Sequence, residues 1–116
     1  MLFLEYPPCT TCRKAKKWLD EKGFLYEDRN IKSEKPSFEE LESWLKMSGL
    51  PVKKFFNTSG QLYRSLELKE KLPQMSEQEQ LELLASDGML VKRPIMVLDD
   101  KILIGFKQPE WEEALS

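Results

Sequence analysis

The sequence predicts one α/β domain carrying a helical insertion, and three observations predict it. A strand–helix–strand succession fills the first ~30 residues, the size of a βαβ unit. Two capping boxes frame a helical middle, and a β-hairpin followed by a short helix closes the chain. A length of 116 residues suits a single domain over 1–116, with the insertion at about 36–90. Apolar residues make up 41% of it, with three Trp and six Phe, so a core forms without a disulfide framework.

LFLEY, residues 2–6, is a short apolar run stopped by Pro7-Pro8 and reads as a buried strand. From Cys9 to Lys22 the pattern is helical, with Cys12, Ala15 and Leu19 on one face, Trp18 beside them and Gly23 as the stop. FLYEDRNI, residues 24–31, reads as a second strand, parallel to the first through a right-handed crossover. Ser37 with Glu40 forms a capping box ahead of a Phe38, Leu41, Trp44, Leu45 stripe that ends at Gly49. Ser76 with Glu79 repeats the device ahead of Leu81, Leu84 and Ala85, with Gly88 as the stop. Between them VKKFF and QLYRSLELKEKL read as short helical pieces, separated by Asn57-Thr58-Ser59-Gly60. PIMVL (94–98) and KILIG (101–105), joined through Asp99-Asp100, form an antiparallel hairpin. The last helix has Pro109 in its first turn, three glutamates at the favourable dipole end, and Trp111 and Leu115 facing inward. Trp18, Trp44 and Trp111 all read as core.

Composition excludes several functions. A formal charge of −2 gives no global attraction for nucleic acid phosphate. No run approaches a membrane span, and the N-terminus lacks a basic stretch ahead of an apolar one, so a cytoplasmic location is expected. Histidine is absent, which removes Ser-His and Cys-His nucleophile pairs. Two cysteines cannot close a four-thiolate zinc site within one chain, and no metal is expected. A monomer is the default.

The chemistry concentrates in Cys9-Thr10-Thr11-Cys12. A cysteine at the start of a helix meets unpaired N–H groups and the positive dipole end, which favour its thiolate. Cys9 is therefore the expected nucleophile, and Cys12, one turn on and more covered, the resolving thiol. The residues alone also admit inert core cysteines or a zinc site shared between two chains. The strand–C-x-x-C–helix context favours redox chemistry. Arg13, Lys14, Lys16 and Lys17 crowd the first turns, where positive charge opposes the macrodipole. Arg13 and Lys16 share the face of Cys9, while Lys14 and Lys17 read equally well as a solvated face. Glu5 reads first as pointing outward at a strand end, and second as a proton acceptor for Cys12. Lys92-Arg93-Pro94-Ile95 places a proline at the opening of a strand, where its missing N–H is tolerated. On sequence alone the Arg93-Pro94 bond is open to cis or trans.

Cys9-Thr10-Thr11-Cys12-Arg13, the helical insertion and Arg93-Pro94-Ile95 before a hairpin together resemble the arsenate reductase-like branch of the thioredoxin fold. The resemblance covers essentially the whole chain. It implies a four-stranded mixed sheet and a cis Arg93-Pro94 bond. Arsenate reductases of this group pair a catalytic Cys with an Arg four residues on, which Cys9 and Arg13 match. They usually carry a His four residues before that Cys, where this sequence has Glu5. They bind oxyanion through three arginines. Arg93 fits one; Asn57 and Lys107 stand at the other two positions. Lysine keeps charge but loses the bidentate fork. The implied substrate-binding set is Thr10, Thr11, Arg93, Pro94 and Lys107. The activity implied is thiol–disulfide oxidoreduction, extending to arsenate, with no bound cofactor and with electrons from thioredoxin or glutathione–glutaredoxin. The second cysteine is similar to Spx-type redox regulators, which implies the alternative of a transcription regulator binding the α subunit of bacterial RNA polymerase, with the segment from Gly49 to Lys54 as the surface. No direct contact with nucleic acid and no membrane is implied.

Overall fold

The sheet grows from the strand–helix–strand start. In the computed structural model, which describes residues 1–116, β1 spans Leu2–Glu5, α1 spans Thr10–Glu21 and β2 spans Glu27–Asn30. β1 and β2 run parallel, with Leu2 opposite Glu27 and Glu5 opposite Asn30. α1 stops where expected: Gly23 takes φ 76° and the Phe24 N–H reaches back to the Leu19 carbonyl. β2 is shorter than predicted. Phe24 and Leu25 belong to the turn out of α1, and Leu25 is 90% exposed, because pairing with β1 begins only at Glu27.

The insertion follows. α2 (Phe38–Ser48) and α5 (Glu77–Ser86) each start with both reciprocal bonds of a capping box in place. Gly49 ends α2 in the left-handed region at φ 67°. Val52–Phe55 is a single 3-10 turn, and the predicted helix over 61–72 is broken into α3 (Gln61–Ser65) and α4 (Leu68–Lys71). The break is at Glu67, whose φ of 54° no helix interior accepts. α5 ends at Ser86, and Gly88 serves a different purpose from the predicted stop. A Cβ there would lie 1.8 Å from the Ile31 carbonyl oxygen, so only glycine lets the insertion close against the chain leaving β2.

β3 (Ile95–Val97) and β4 (Ile102–Ile104) form the predicted hairpin, and β3 pairs antiparallel with β1. The sheet is mixed, in the order β2-β1-β3-β4, and α6 (Gln108–Leu115) follows it. β-α-β, insertion, β-β-α in this order is the thioredoxin-like arrangement. Alternation along the central strands sorts the core into two layers. Leu4 and Ile95 join Trp44, Phe55, Phe56 and Leu84 of the insertion side. Phe3 and Met96 join Ala15, Trp18 and Leu19 of α1 and Trp111 of α6. All three tryptophans are core, and the Trp111 indole Nε1–H donates to the Gly105 carbonyl at 3.0 Å. No helix is long and apolar enough to cross a membrane.

Candidate functional site

The site forms where β1 hands the chain to α1. Pro7-Pro8 turns it, the Cys9 N–H bonds the Tyr6 carbonyl at 2.9 Å, and Cys9 becomes the N-cap of α1 with extended backbone. Its own carbonyl accepts the first helical bond, from the Arg13 N–H at 3.0 Å. Cys9 is half-buried and Cys12 is fully buried, and both are free thiols.

The two thiols are pushed in opposite directions. Partial burial by itself would raise Cys9. The backbone N–H and thiol of Cys12 and the guanidinium of Arg93 outweigh it and hold Cys9 below the usual thiol range. Burial dominates at Cys12 and pushes it to about 12; donation from the Tyr6 N–H, 3.5 Å from its Sγ, opposes this only in part. A forming thiolate at Cys9 adds to the rise. At neutral pH the pair is therefore one activated thiol and one protonated thiol in contact.

Cys9 opens into a cavity of about 430 Å³. Thr11 lines it with Cys9; Lys92, Arg93 and Lys107 supply charge, and Asn57 adds a carboxamide. No carboxylate lines it. Arg93 packs its guanidinium 5.1 Å from the Tyr6 ring centroid, while its Nε and Nη1 are buried and bonded to no protein group. A charged donor held in this way is suited to an anion arriving in the cavity. The Arg93-Pro94 bond is cis, and the buried Pro94 presents its carbonyl to the Gly105 N–H at 2.8 Å.

Several residues stand apart from that cavity. The Arg13 side chain turns away, its Nε bonding the Pro7 carbonyl at 3.1 Å, so it braces the Pro7-Pro8 turn and does not line the cavity beside Cys9. Thr10 is exposed on the outer side of the first turn. Lys16, expected on the Cys9 face, bonds Asp28 of β2 at 2.7 Å. Glu5 corrects the sequence reading outright: it is 3% exposed rather than outward. It faces α1 beside Asp28 and Lys16, and burial first, then the Asp28 charge, raise its carboxyl above the ordinary range.

Sequence reasoning did not assign Lys92, Ser59, Gly60, Gly105 or Phe106, all of which line the cavity. The signal for Lys92 was its place beside Arg93. The glycines have a steric signature only in three dimensions: a Cβ on Gly60 would meet the Asn57 carboxamide at 2.8 Å, and one on Gly105 the Lys92 Cε at 3.2 Å.

Comparison with known proteins adds context to this geometry. The model of the ArsC family matches residues 4–114. YusI, an uncharacterised protein of Bacillus subtilis (strain 168), is 57% identical over 113 residues, covering 97% of this chain and 96% of the relative. The global transcriptional regulator Spx of Enterococcus faecalis is 34% identical over 104 residues, covering 90% of this chain and 77% of Spx. Among solved structures, an ArsC family related protein from Bacteroides fragilis superposes with a TM-score of 0.94 at 56% identity, over 97% of this chain and 94% of that one. A possible arsenate reductase from Streptococcus mutans gives a TM-score of 0.87 at 49% identity, over 96% of each chain.

Proposed function

The chain belongs to the ArsC family, and on that footing we propose that it is a thiol–disulfide oxidoreductase in which Cys9 attacks and Cys12 resolves. The observation that carries this reading is the opposed shift of the two thiols, with Cys9 lowered at the mouth of a cationic cavity and Cys12 raised behind it. The Cys9 thiolate attacks one sulfur of a substrate disulfide, the S–S bond breaks, and the first substrate thiolate leaves and takes a proton from water. The Cys12 thiol then gives up its proton as it attacks Cys9 Sγ and expels the second substrate thiolate. The substrate gains two electrons, the protein loses them as a Cys9–Cys12 disulfide, and thioredoxin or glutathione–glutaredoxin returns them. No bound cofactor takes part.

Arsenate is the second substrate class. It condenses with Cys9 as water leaves, and attack by Cys12 on Cys9 Sγ releases arsenite. Arg93 and Lys107 neutralise the oxyanion, Thr11 donates to it, and Pro94 shapes the approach. Arg13 acts through the Pro7-Pro8 turn that holds Cys9, while Thr10, outside the cavity, takes no part in this reading.

The test is NADPH oxidation coupled through each reductant system in turn, with arsenate or a small disulfide as substrate. Turnover should vanish in Cys9→Ser and stall after one adduct in Cys12→Ser. Turnover that persists in Cys9→Ser would refute the assignment.

Similarity to Spx favours a second reading, a redox-sensing regulator that binds the α subunit of RNA polymerase. Its surface would be the segment after α2, where Leu50, Lys53 and Lys54 are exposed. Binding to the isolated α subunit that changes when Cys9 and Cys12 are oxidised supports this reading. Equal binding in both states removes it.

A further inference from the structure

Beside the thiol cavity lies a second depression, of about 440 Å³, walled by Lys53, Lys54, Lys69 and Lys92 with Thr58 and Tyr63 between them. Five segments converge to build it: the 3-10 turn Val52–Phe55, the loop before α3, α3 through Tyr63, α4, and the chain entering β3. On a protein of net charge −2 with 20 acidic residues, none of these four lysines is in an ion pair, and no carboxylate lines the depression. Glu67 and Glu70 line an adjoining hollow that shares Thr58, Tyr63 and Lys69 with this one. Tyr63 packs in the core and also lines the depression, and its hydroxyl takes part in no protein hydrogen bond.

The walls are held before any ligand arrives. Phe56 bridges Val91, the Asn57 N–H bonds the Leu90 carbonyl and the Lys92 N–H bonds the Phe55 carbonyl, both N–H bonds at 2.8 Å. The loop from Phe56 to Gly60 then alternates between two sites: Phe56 and Thr58 line the lysine depression, while Asn57, Ser59 and Gly60 line the Cys9 cavity. Lys92 belongs to both. Four exposed lysines around one depression concentrate positive charge there, and an anion of two or more charges is attracted to several of them at once. Lysines are established partners of phosphate oxygens, acting as compact point charges without the directional fork of arginine.

We propose that this lysine depression is a binding site for a small polyanion with at least two linked phosphate groups, separate from the anion-accepting cavity at Cys9. The proposal is independent of the redox reading, since neither thiol takes part in it.

The test titrates the full reduced protein with inorganic pyrophosphate at about 0.15 M salt, by calorimetry and by backbone amide NMR. One site with Kd below ~1 mM is expected, with orthophosphate at least about tenfold weaker because it carries fewer charges and fewer oxygens to engage several lysines. Amide shifts should centre on Thr58, Tyr63 and Lys69. Lys53→Gln with Lys69→Gln should weaken pyrophosphate about tenfold or more, while the control Lys14→Gln with Lys17→Gln, equal in charge and distant in the fold, leaves it unchanged. No saturation by about 10 mM overturns the proposal. So does equal weakening by both double variants, which would mean diffuse attraction only. Shifts centred on Cys9 and Thr11 would overturn it too, since they would place the anion in the thiol cavity.

Discussion

Glu40 is the joint between the sheet and the inserted helices, and its removal makes a quantitative prediction. Arg29 of β2 forks onto both carboxylate oxygens, at 2.7 and 2.9 Å, and the same carboxylate accepts the Ser37 N–H of the capping box at 3.0 Å. The Arg29 bonds first, and the Ser37 N–H after them, lower Glu40 from its ordinary 4.5 to about 2. At about 1.4 kcal/mol per tenfold, that difference has a ceiling of about 3.4 kcal/mol at neutral pH. The Glu40 side chain is 36% exposed and Arg29 17%, so solvent screening reduces the net to about 1–2 kcal/mol. The sign follows from the lowered value. The stabilisation is complete above pH 4.5 and is lost as the pH falls through the folded value near 2. Glu40→Gln should therefore lower the urea midpoint at pH 7 with an unchanged slope, and the gap from the parent should narrow below pH 4.5 and close near pH 2. Arg29→Met combined with Glu40→Gln should cost less than the two single changes added together. A gap that is the same at pH 7 and at low pH would refute the charge argument.

Three further outcomes follow from the packing and the site. Arg93→Met should raise the Cys9 titration, because the guanidinium is one of the groups that overcome burial there; pH-dependent alkylation located by mass spectrometry reads it, and an unmoved Cys9 titration contradicts it. Trp111→Phe loses the 3.0 Å bond to the Gly105 carbonyl inside the core and should cost about 1–2 kcal/mol in urea unfolding; a midpoint equal to the parent's would show the bond to be dispensable. Gly88→Ala places a methyl 1.8 Å from the Ile31 oxygen and should cost about 1–3 kcal/mol or more through backbone movement. Gly23→Ala meets nothing within 4 Å and should cost only the ~1–2 kcal/mol of its left-handed backbone, so a larger loss at Gly23 than at Gly88 would invert the argument.

Features settled by neighbours in sequence were legible before the fold was known. Ser37 and Glu40, like Ser76 and Glu79, satisfy each other's backbone donors locally, and both helices begin where those residues stand. Cys9 at the N-cap and Cys12 on the buried face follow from helical spacing alone. Features settled by pairing were not. Phe24 and Leu25 look like strand, yet the parallel register with β1 starts at Glu27 and leaves Leu25 in solvent. Glu67 adopts a left-handed backbone with no glycine to announce it. A strand-end carboxylate usually points outward, but the crossover of α1 covers Glu5. Arg13 and Lys16 have the right spacing from Cys9, but nearer partners, the Pro7 carbonyl and Asp28, claim their side chains. Lys92 and the Asn57–Gly60 loop reach the cavity only because the Phe56–Val91 bridge brings the insertion back toward Cys9 at the start of α1.

The division of labour between the two thiols is tested most directly by alkylating the reduced protein across pH and locating the label by mass spectrometry. The account predicts that Cys9 is labelled at neutral pH with a titration below the free-thiol range, while Cys12 stays unlabelled until strongly alkaline solution. Labelling of Cys12 at neutral pH as fast as Cys9, in protein that is still folded, would contradict it.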